Sequence, residues 1–212
     1  MPSKASFAVV RGSFVPRDAA NAILSICGDF LTYQKSGLLI RNGEVYVSDR
    51  NYSICALYPD GTMETYEKDT YVIEDILARE PVHVWSFGPS LLDENGKAFE
   101  QFQLSNAIAG RHPRGAVGYY EPGHYCFVLV DGRQEGYSYG MSIQNLAKVF
   151  EELGCKVAYN LDGGRSAVMT FGQKFYNRPY LNGRNLGDVL YIAESGLYTH
   201  AVEPEQTEEA VG

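Results

Sequence analysis

Apolar residues along the chain fall into short runs that Gly, Asn, Asp and Pro separate. Runs of this length, rich in β-branched and aromatic residues, are typical of strands buried on one or both faces. The dipeptides Asn42-Gly43 and Asp60-Gly61 lie between such runs and favour tight hairpin turns, because type I′ turns need positive φ. The pattern predicts strands at residues 23–27, 38–41, 45–48, 54–58, 63–66, 82–87, 99–104, 116–120, 125–131, 157–161, 167–171 and 189–193.

Helical spacing of apolar residues predicts one longer helix over residues 143–153. Ser142 suits its N-cap, and Gly154 suits the C′ position, where positive φ is common. A short amphipathic helix is predicted over residues 72–79, and another begins at Pro16. Many strands and hairpins with few helices predict an α+β fold: a single domain with a mixed, largely antiparallel twisted sheet and a few packed helices.

Composition and charge narrow the classes of partner. Hydrophobic residues make up 45% of the chain and charged residues 21%, which is ordinary globular usage. The net charge of −8 falls to −4 without the four Glu of residues 201–212, and no basic stripe exists to hold a nucleic-acid backbone. No apolar run approaches the roughly 18 residues of a membrane span. We therefore expect one domain over residues 1–200, an acidic disordered tail over residues 201–212, no nucleic-acid partner and no membrane span.

Tyrosine is the unusual component of the composition. The chain has 16 Tyr and 1 Trp. Strands favour Tyr, which accounts for much of this excess. Exposed tyrosines also line sugar-binding grooves, because the ring is apolar and its hydroxyl is polar. The sequence does not show which tyrosines would do so.

Four cysteines lie in or beside apolar runs: Cys27, Cys55, Cys126 and Cys155. They form no Cys-x-x-Cys pair and no zinc-type cluster, so the pattern favours buried free thiols. Disulfides stay open if the protein is exported. The residues after Met1 do not resemble a signal peptide, which suits either a cytoplasmic protein or an exported domain without its leader.

The densest polar motif follows the predicted strand at residues 157–161. Asp162 stands at the end of that strand, and Gly163 and Gly164 allow a sharp turn and a close backbone approach to a ligand. The same three residues would also suit an ordinary turn between two strands. Asn160 and Ser166 flank the motif and could contribute hydrogen bonds.

Other acids and arginines also lie at strand ends. Asp131 and Arg133 close one apolar strand, Arg114 precedes another, and Asp29 follows Gly28 at the end of the first. Each motif alone also suits a plain turn or a solvated loop. If these ends converge, carboxylates would lie beside cations, a combination that suits a phosphate- or sugar-bearing substrate. The sequence has no G-x-S-x-G, H-E-x-x-H, P-loop or G-x-G-x-x-G motif.

The order of these motifs resembles the phosphodiester glycosidase family over roughly residues 21–195. The resemblance rests on CGDF, WSFGPSL, HPRGA, VDGR, GMSIQNLAKVFEELGC, AYNLDGGRSAVM with the following Asn-Arg-Pro, and GRNLGDVLYIAES. The chain departs from the family pattern at three positions. Cys27 stands where Asn is usual, Gly115 replaces a usual Thr, and Arg165 replaces the third Gly of the loop.

The resemblance implies an enzyme that hydrolyses a sugar-1-phosphodiester between the anomeric carbon and the phosphate oxygen. It suggests a GlcNAc-type or cell-envelope glycan as substrate. Arg114 and Arg133 would bind the phosphate, and Asp162 or Asp131 would act at the anomeric carbon. The residues expected to bind substrate are Gly28, Asp29, Asn160, Gly163, Gly164, Ser166 and Arg178. No cofactor is required, and a divalent cation stays open.

Two other functions remain open at this point. One is a carbohydrate-binding protein without catalysis, which the three departures motivate. The other is a metal-assisted phosphoesterase in which Asp29, Asp131 and Asp162 hold Mg²⁺ or Ca²⁺. An exported or cell-envelope location fits the family context, a cytoplasmic one stays open, and the sequence does not indicate the oligomeric state.

Overall fold

The structure is a computed structural model that describes residues 5–11, 22–30, 37–49, 52–172 and 174–194. Strands dominate these residues, and the helices are short. The strands are β1 (Ala5–Arg11), β2 (Ala22–Cys27), β3 (Leu38–Arg41), β4 (Glu44–Ser48), β5 (Ile54–Leu57), β6 (Met63–Tyr66), β7 (His83–Trp85), β8 (Arg114–Glu121), β9 (His124–Val130), β10 (Val157–Asn160), β11 (Met169–Phe171), β12 (Lys174–Phe175) and β13 (Asp188–Glu194). The helices are α1 (Ile73–Leu77), α2 (Asn106–Ala109) and α3 (Ile143–Glu152).

The strands form three sheets. Sheet one has the order β1-β13-β2-β11-β12, sheet two β4-β3-β7-β5-β6, and sheet three β10-β8-β9. Every pairing among the described strands is antiparallel. The structure therefore confirms a strand-rich chain with few helices, and it divides the strands among three antiparallel sheets instead of one mixed sheet.

Local sequence signals placed most elements correctly. Asn42 and Gly43 have φ of 53° and 81° and join β3 to β4 in the predicted hairpin. The Ser142 hydroxyl accepts a hydrogen bond of 3.3 Å from the Asn145 N–H at the start of α3. Gly154 follows the helix with φ of 75°, as a C′ glycine should. These signals act over a few residues, so they survive whatever the tertiary packing is.

One strand prediction is wrong, and one helix prediction cannot be compared. Residues 99–104 form no strand, although Leu92 and Ala98 make an isolated bridge just before them. Phe99 and Phe102 pack edge to face instead, with ring centroids 6.2 Å apart. The apolar residues Phe102 and Leu104 of this segment pack against the core cluster that includes α3. The helix predicted to begin at Pro16 lies outside the described residues.

A single core cluster draws side chains from all three sheets. It includes Ile26 of β2, Trp85 of β7, Val117 of β8, Tyr159 of β10 and Leu190 of β13, all at most 1% exposed. A second cluster lies between sheet three and α3, and a third between sheet two and α1. Among the described residues, no helix is long and apolar enough to cross a membrane.

The four cysteine thiols are free in this structure. Cys27, Cys55 and Cys155 are buried, and Cys126 is half-buried. The Cys126 and Cys155 sulfurs lie 3.6 Å apart, and the hydrogen bond from Cys155 is the main reason that the pKa of Cys126 falls to about 7. Among the described hydrogen bonds, this is the one that joins two cysteine thiols.

A buried arginine joins sheet one to sheet two. Arg41 at the end of β3 bonds through Nη2 to Asp29 Oδ2 at 2.8 Å and to Asp188 Oδ2 at 2.6 Å. All three side chains are at most 1% exposed. The Arg41 Nη1 also donates to the carbonyls of Ile40 and Val84. Burial raises the pKa of Asp29 to about 6, and the Arg41 charge opposes that rise.

We expect Arg41→Leu to lower the free energy of unfolding by about 3–5 kcal/mol, because two buried carboxylates would lose their cation. Urea denaturation would measure the loss. The deficit should shrink as the pH falls from about 8 to about 5, because Asp29, whose pKa burial raises to about 6, can then be buried as a neutral group. Arg79→Leu is the matched control, since Arg79 pairs with Glu64 at the surface, and should cost about 1 kcal/mol or less. Equal losses in both variants would contradict this account.

Candidate active site

The Asp-Gly-Gly motif forms a tight loop after β10. The Asp162 N–H donates to the Gly28 carbonyl at 2.9 Å, which docks the loop against the end of β2. The Gly163 N–H donates to Asp162 Oδ1 at 2.7 Å. A short 3₁₀ helix, Gly164–Ser166, follows with φ of 62° at Gly164. Gly164 therefore supplies the turn, and Gly163 lets the loop pack closely against the backbone of Pro113.

Asp162 forms the acidic centre of a small cleft. The side chain of Arg184 bonds to Asp162 Oδ2 through Nη2 at 3.2 Å and to the Ser166 hydroxyl through Nε at 2.7 Å. Asp162 is 7% exposed, whereas the Arg184 side chain is 33% exposed. Burial raises the pKa of Asp162, although the Ser166, Arg184 and Gly163 contacts oppose that rise. The group is therefore poised to exchange a proton nearer neutral pH than an ordinary Asp.

Two cavities meet at Arg184. The narrow cleft of about 20 Å³ lies between the Asp162 loop and the end of β2, with Phe30 at one side. The Arg184 guanidinium carbon lies 4.9 Å from the Phe30 ring centroid. A larger and mainly apolar cavity of about 530 Å³ shares Arg184, Asn185 and Leu186 with the cleft. A ligand group at Asp162 could thus extend past Arg184 into a roomier space.

Arg133 lies on the other side of the same loop. A Cβ placed on Gly164 would come within 3.2 Å of Arg133 Nη1, so the guanidinium lies against this glycine. Arg133 Nη2 bonds to His112 Nδ1 at 3.0 Å, and the guanidinium carbon lies 5.7 Å from the Tyr180 ring centroid. No ion pair among the described residues includes Arg133. Its charge is available to an anion.

Arg114 is a buried cation behind Arg133. Its Nε donates to the Met141 carbonyl at 3.0 Å, and its Nη2 donates to the carbonyls of Ile108 and Gly110 at 2.6 Å. Burial, with a smaller effect from the nearby Arg133 charge, lowers the pKa of Arg114 to about 10. None of the ion pairs within the described ranges involves Arg114. A bound anion would compensate the buried charge of Arg114 and the exposed charge of Arg133 together.

Asp29 and Gly28 border the cleft but are committed to the framework. Asp29 accepts from Arg41 and from the Ser86 and Phe87 N–H groups at 3.1 and 3.0 Å. A Cβ on Gly28 would lie 2.3 Å from Asp188 Oδ2, so any side chain there would displace the ion pairs. The contacts of Asp29 and Gly28 therefore hold the wall of the cleft in position.

Asp131 and Arg178 belong to a different cluster from Asp162. Asp131 accepts from the Tyr137 hydroxyl at 2.9 Å, the Arg178 N–H at 3.0 Å and Asn177 Nδ2 at 2.8 Å. The Arg178 guanidinium is exposed and lies 4.9 Å from the Tyr137 ring centroid. Of the two acids weighed for catalysis, Asp162 is the one that lies in the cleft with Ser166 and Arg184.

Asn160 is fully buried beneath the loop. Its Nδ2 donates to the Gly88 carbonyl at 2.7 Å, and its backbone N–H donates to the Pro89 carbonyl at 3.0 Å. Its Oδ1 has no partner among the described residues. The structure thus places Asn160, the last residue of β10, as a support for the turn after β7 and two residues before Asp162.

The three departures from the family pattern have structural explanations. The Cys27 thiol donates to the Asp162 carbonyl at 3.0 Å, and a Cβ on Gly115 would lie 2.4 Å from its sulfur. The sulfur at position 27 therefore fills space that a side chain at position 115 would need. Arg165 donates to the Gly183 carbonyl from Nε and Nη2 at 3.2 and 2.9 Å, and it lines the larger cavity.

The three acids weighed as metal ligands do not converge. Each of the three has a different partner. Asp29 bonds to Arg41, Asp131 accepts a hydrogen bond from the Tyr137 hydroxyl, and Asp162 bonds to Arg184. Across the part of the chain that the structure describes, no three His, Cys, Asp or Glu side chains lie close enough to hold a metal ion. The described geometry therefore offers no support for the three-aspartate phosphoesterase.

The sequence analysis missed Arg41, Asp188 and Arg184. Arg184 and Asp188 lie within GRNLGDVLYIAES, a run that was matched to the family without roles for its residues. Arg41 ends an apolar strand just before the Asn42-Gly43 turn, and a charge at the end of a wholly buried run is a usable signal. The partners of these residues could be found only from their contacts.

Comparison with known proteins gives one family over most of the chain. The family model described as phosphodiester glycosidase matches residues 4–193. The prophage-derived uncharacterised protein YomE of Bacillus subtilis strain 168 is 26% identical over 146 residues, which cover 66% of this chain and 22% of YomE. The chain thus corresponds to less than a quarter of that relative's length.

Solved structures share the fold. The catalytic domain of zebrafish N-acetylglucosamine-1-phosphodiester α-N-acetylglucosaminidase, auto-inhibited by its pro-peptide, matches with a TM-score of 0.75, 20% identity and coverage of 89% of this chain and 73% of that one. A putative exported protein of Burkholderia pseudomallei matches at 0.62 and 15% identity, covering 89% and 71%. A hypothetical protein from Synechocystis matches at 0.59 and 13% identity, covering 89% and 56%.

The Cys27 and Gly115 pair gives a test of packing in the cleft wall. We expect Gly115→Ala to lower the free energy of unfolding by about 1–3 kcal/mol, because the new methyl group would overlap the Cys27 sulfur. In a Cys27→Ala background the same change should cost much less, since the sulfur is gone. Denaturant unfolding of the four proteins in this double-mutant cycle measures the coupling. Additive effects would show that the two sites do not compete for space.

Proposed function

The chain belongs to the phosphodiester glycosidase family, and from this premise we propose that it hydrolyses a sugar-1-phosphodiester. Water would add at the anomeric carbon, the bond from that carbon to the phosphate oxygen would break, and a free sugar and a phosphate monoester would leave. The observation that carries this proposal is the buried carboxylate of Asp162, with a raised pKa, beside the partly exposed guanidinium of Arg184.

Asp162 would accept the proton of the attacking water. A general base must lie at the reacting group and have a pKa near the working pH, and Asp162 meets the second condition better than an ordinary Asp. The leaving phosphate needs little protonation, so one carboxylate that can act as a base is enough for this chemistry. The other two acids at the cleft, Asp29 and Asp188, are both engaged with Arg41.

The arginines would bind the phosphate and stabilise its charge as the bond breaks. Arg184 contacts Ser166 at one end of the 3₁₀ helix, and Arg133 lies against Gly164 at the other. Arg114 lies behind Arg133, where its buried charge adds to the positive potential. This arrangement adds Arg184 to Arg114 and Arg133, the two arginines that the sequence suggested. The three positive charges would attract an anionic substrate although the net charge of the protein is negative.

The proposed substrate is a GlcNAc-type phosphodiester, as in the name of the zebrafish enzyme. A cell-envelope glycan is the proposed biological source, in keeping with the exported description of the Burkholderia protein. The departures at Cys27 and Gly115 pack against each other in the wall of the cleft, and Arg165 lines the larger cavity. None of the three replaces Asp162 or Arg184, on which the proposed chemistry depends.

The activity test is release of GlcNAc from GlcNAc-α-1-phosphate methyl ester. We expect Asp162→Asn to lower kcat by about 10²–10⁴-fold, the range for loss of a general base. Arg184→Met should lower kcat/KM, and Arg79→Ala is the control because Arg79 follows α1 and pairs with Glu64 on β6. Binding without turnover by the wild type would instead favour a carbohydrate-binding protein. Activity that is lost on exhaustive chelation would favour a metal-assisted reaction.

The pH profile tests the role of Asp162 separately. We expect kcat/KM to fall at acid pH through an apparent pKa above the ordinary Asp value of about 4, since the base must be ionised. Arg184→Gln should move this acid limb to higher pH, because the positive charge of Arg184 lowers the pKa of Asp162. An acid limb that stays at the same pH in Arg184→Gln would contradict the coupling.

A further inference from the structure

A second groove lies on the far side of the Arg133 loop. Its volume is about 630 Å³, and it runs between β9, an edge strand of sheet three, and residues 176–178. Phe127, Leu129 and Met169 contribute its apolar lining. Tyr137 and Tyr176 also line it, and neither takes part in the proposed chemistry.

The two tyrosines are unusually exposed for aromatic side chains. Tyr176 is 76% exposed and Tyr137 is 54% exposed. Exposed aromatic rings that border a groove are typical of binding surfaces, because ring area in water is unfavourable unless a ligand covers it. Two of the 16 tyrosines of the chain therefore lie together on one surface.

The polar groups of the groove are held in place before any ligand binds. Asp131 accepts from the Tyr137 hydroxyl, the Arg178 N–H and Asn177 Nδ2 at 2.8–3.0 Å. Asn177 Oδ1 in turn accepts from the Met169 N–H at 2.9 Å. A rim fixed in this way loses little conformational entropy on binding.

The groove is connected to the Asp162 loop by two segments of chain. Residues 131–138 carry Asp131 and Tyr137 on the groove side and Arg133 on the cleft side. Residues 176–182 carry Tyr176 at the groove and Tyr180 beneath Arg133. Gln134 Nε2 bonds to the Arg178 carbonyl at 2.8 Å and ties the two segments together. The same two segments therefore border both sites.

We propose that this groove binds the glycan chain of the substrate, with pyranose rings against Tyr176 and Tyr137. A pyranose has an apolar C–H face that fits an aromatic ring, and hydroxyls at its edge that fit the fixed polar groups. The choice of a glycan rests on the proposed function. It assigns a polymeric or oligomeric sugar as the preferred substrate, and the short sugar phosphodiester is the smallest substrate that reaches Asp162 alone. Because β9 is an outer strand, a strand-pairing peptide is the competing occupant.

The test is binding of neutral hexasaccharides to the full chain by calorimetry, with chitohexaose, cellohexaose and maltohexaose as probes. The wild type should bind at least one, and Tyr176→Ala should weaken that binding by about tenfold because the stacking face is lost. Tyr176→Phe should bind like the wild type, since its ring remains. Tyr139→Ala is the matched control, because Tyr139 is 60% exposed on the same loop and does not line the groove.

Two results would overturn the proposal. One is that the wild type binds none of the three hexasaccharides, and the other is that Tyr176→Ala binds as tightly as the wild type. Melting temperatures of all variants would show that they are folded. Hydrolysis of the short methyl phosphodiester by the wild type is measured independently. Hydrolysis without hexasaccharide binding would reject the groove alone, whereas hexasaccharide binding without hydrolysis would reject the proposed enzyme.

Discussion

The buried contact of Arg41 with Asp29 and Asp188 is the constraint on which the cleft depends. It joins the end of β3 in sheet two to the ends of β2 and β13 in sheet one. Charges this deeply buried are unfavourable unless they are paired, so the three side chains hold their strands in one arrangement. The Gly28 carbonyl, which anchors the Asp162 loop, lies next to Asp29 and inherits that position.

Close backbone packing is the second constraint around the site. A Cβ at Gly28, Gly115 or Gly163 would come within 2.3–2.5 Å of a neighbouring atom. At these positions glycine is needed for space more than for a special φ, whereas Gly164 has the positive φ of a true turn. Asp162-Gly163-Gly164 can therefore be both an ordinary turn and a loop that places Asp162 in the cleft. The loop is a turn, and its tight packing is what presents Asp162 to the cleft.

Local placement of charge, and not net charge, decides what the cleft can bind. The protein is acidic overall, yet Arg184 and Arg133 lie at either end of one 3₁₀ helix with Arg114 behind them. The same two segments that hold Arg133 also build the tyrosine groove on their other side. The arginines of the cleft and the tyrosine groove thus share their supports, as the proposal of one extended substrate requires.

Sequence alone determined the features that depend on neighbours in the chain. The Asn42-Gly43 hairpin, the Ser142 cap and the strand before Asp162 follow from local turn, cap and apolar patterns. Tertiary structure alone decided that Arg41 meets Asp188 across 147 residues, and that Arg184 is the partner of Asp162. It also separated Asp131 from the cleft and divided the strands into three sheets. These outcomes depend on how the sheets pack. The position of a charged residue in the sequence does not determine which distant charged residue is buried beside it.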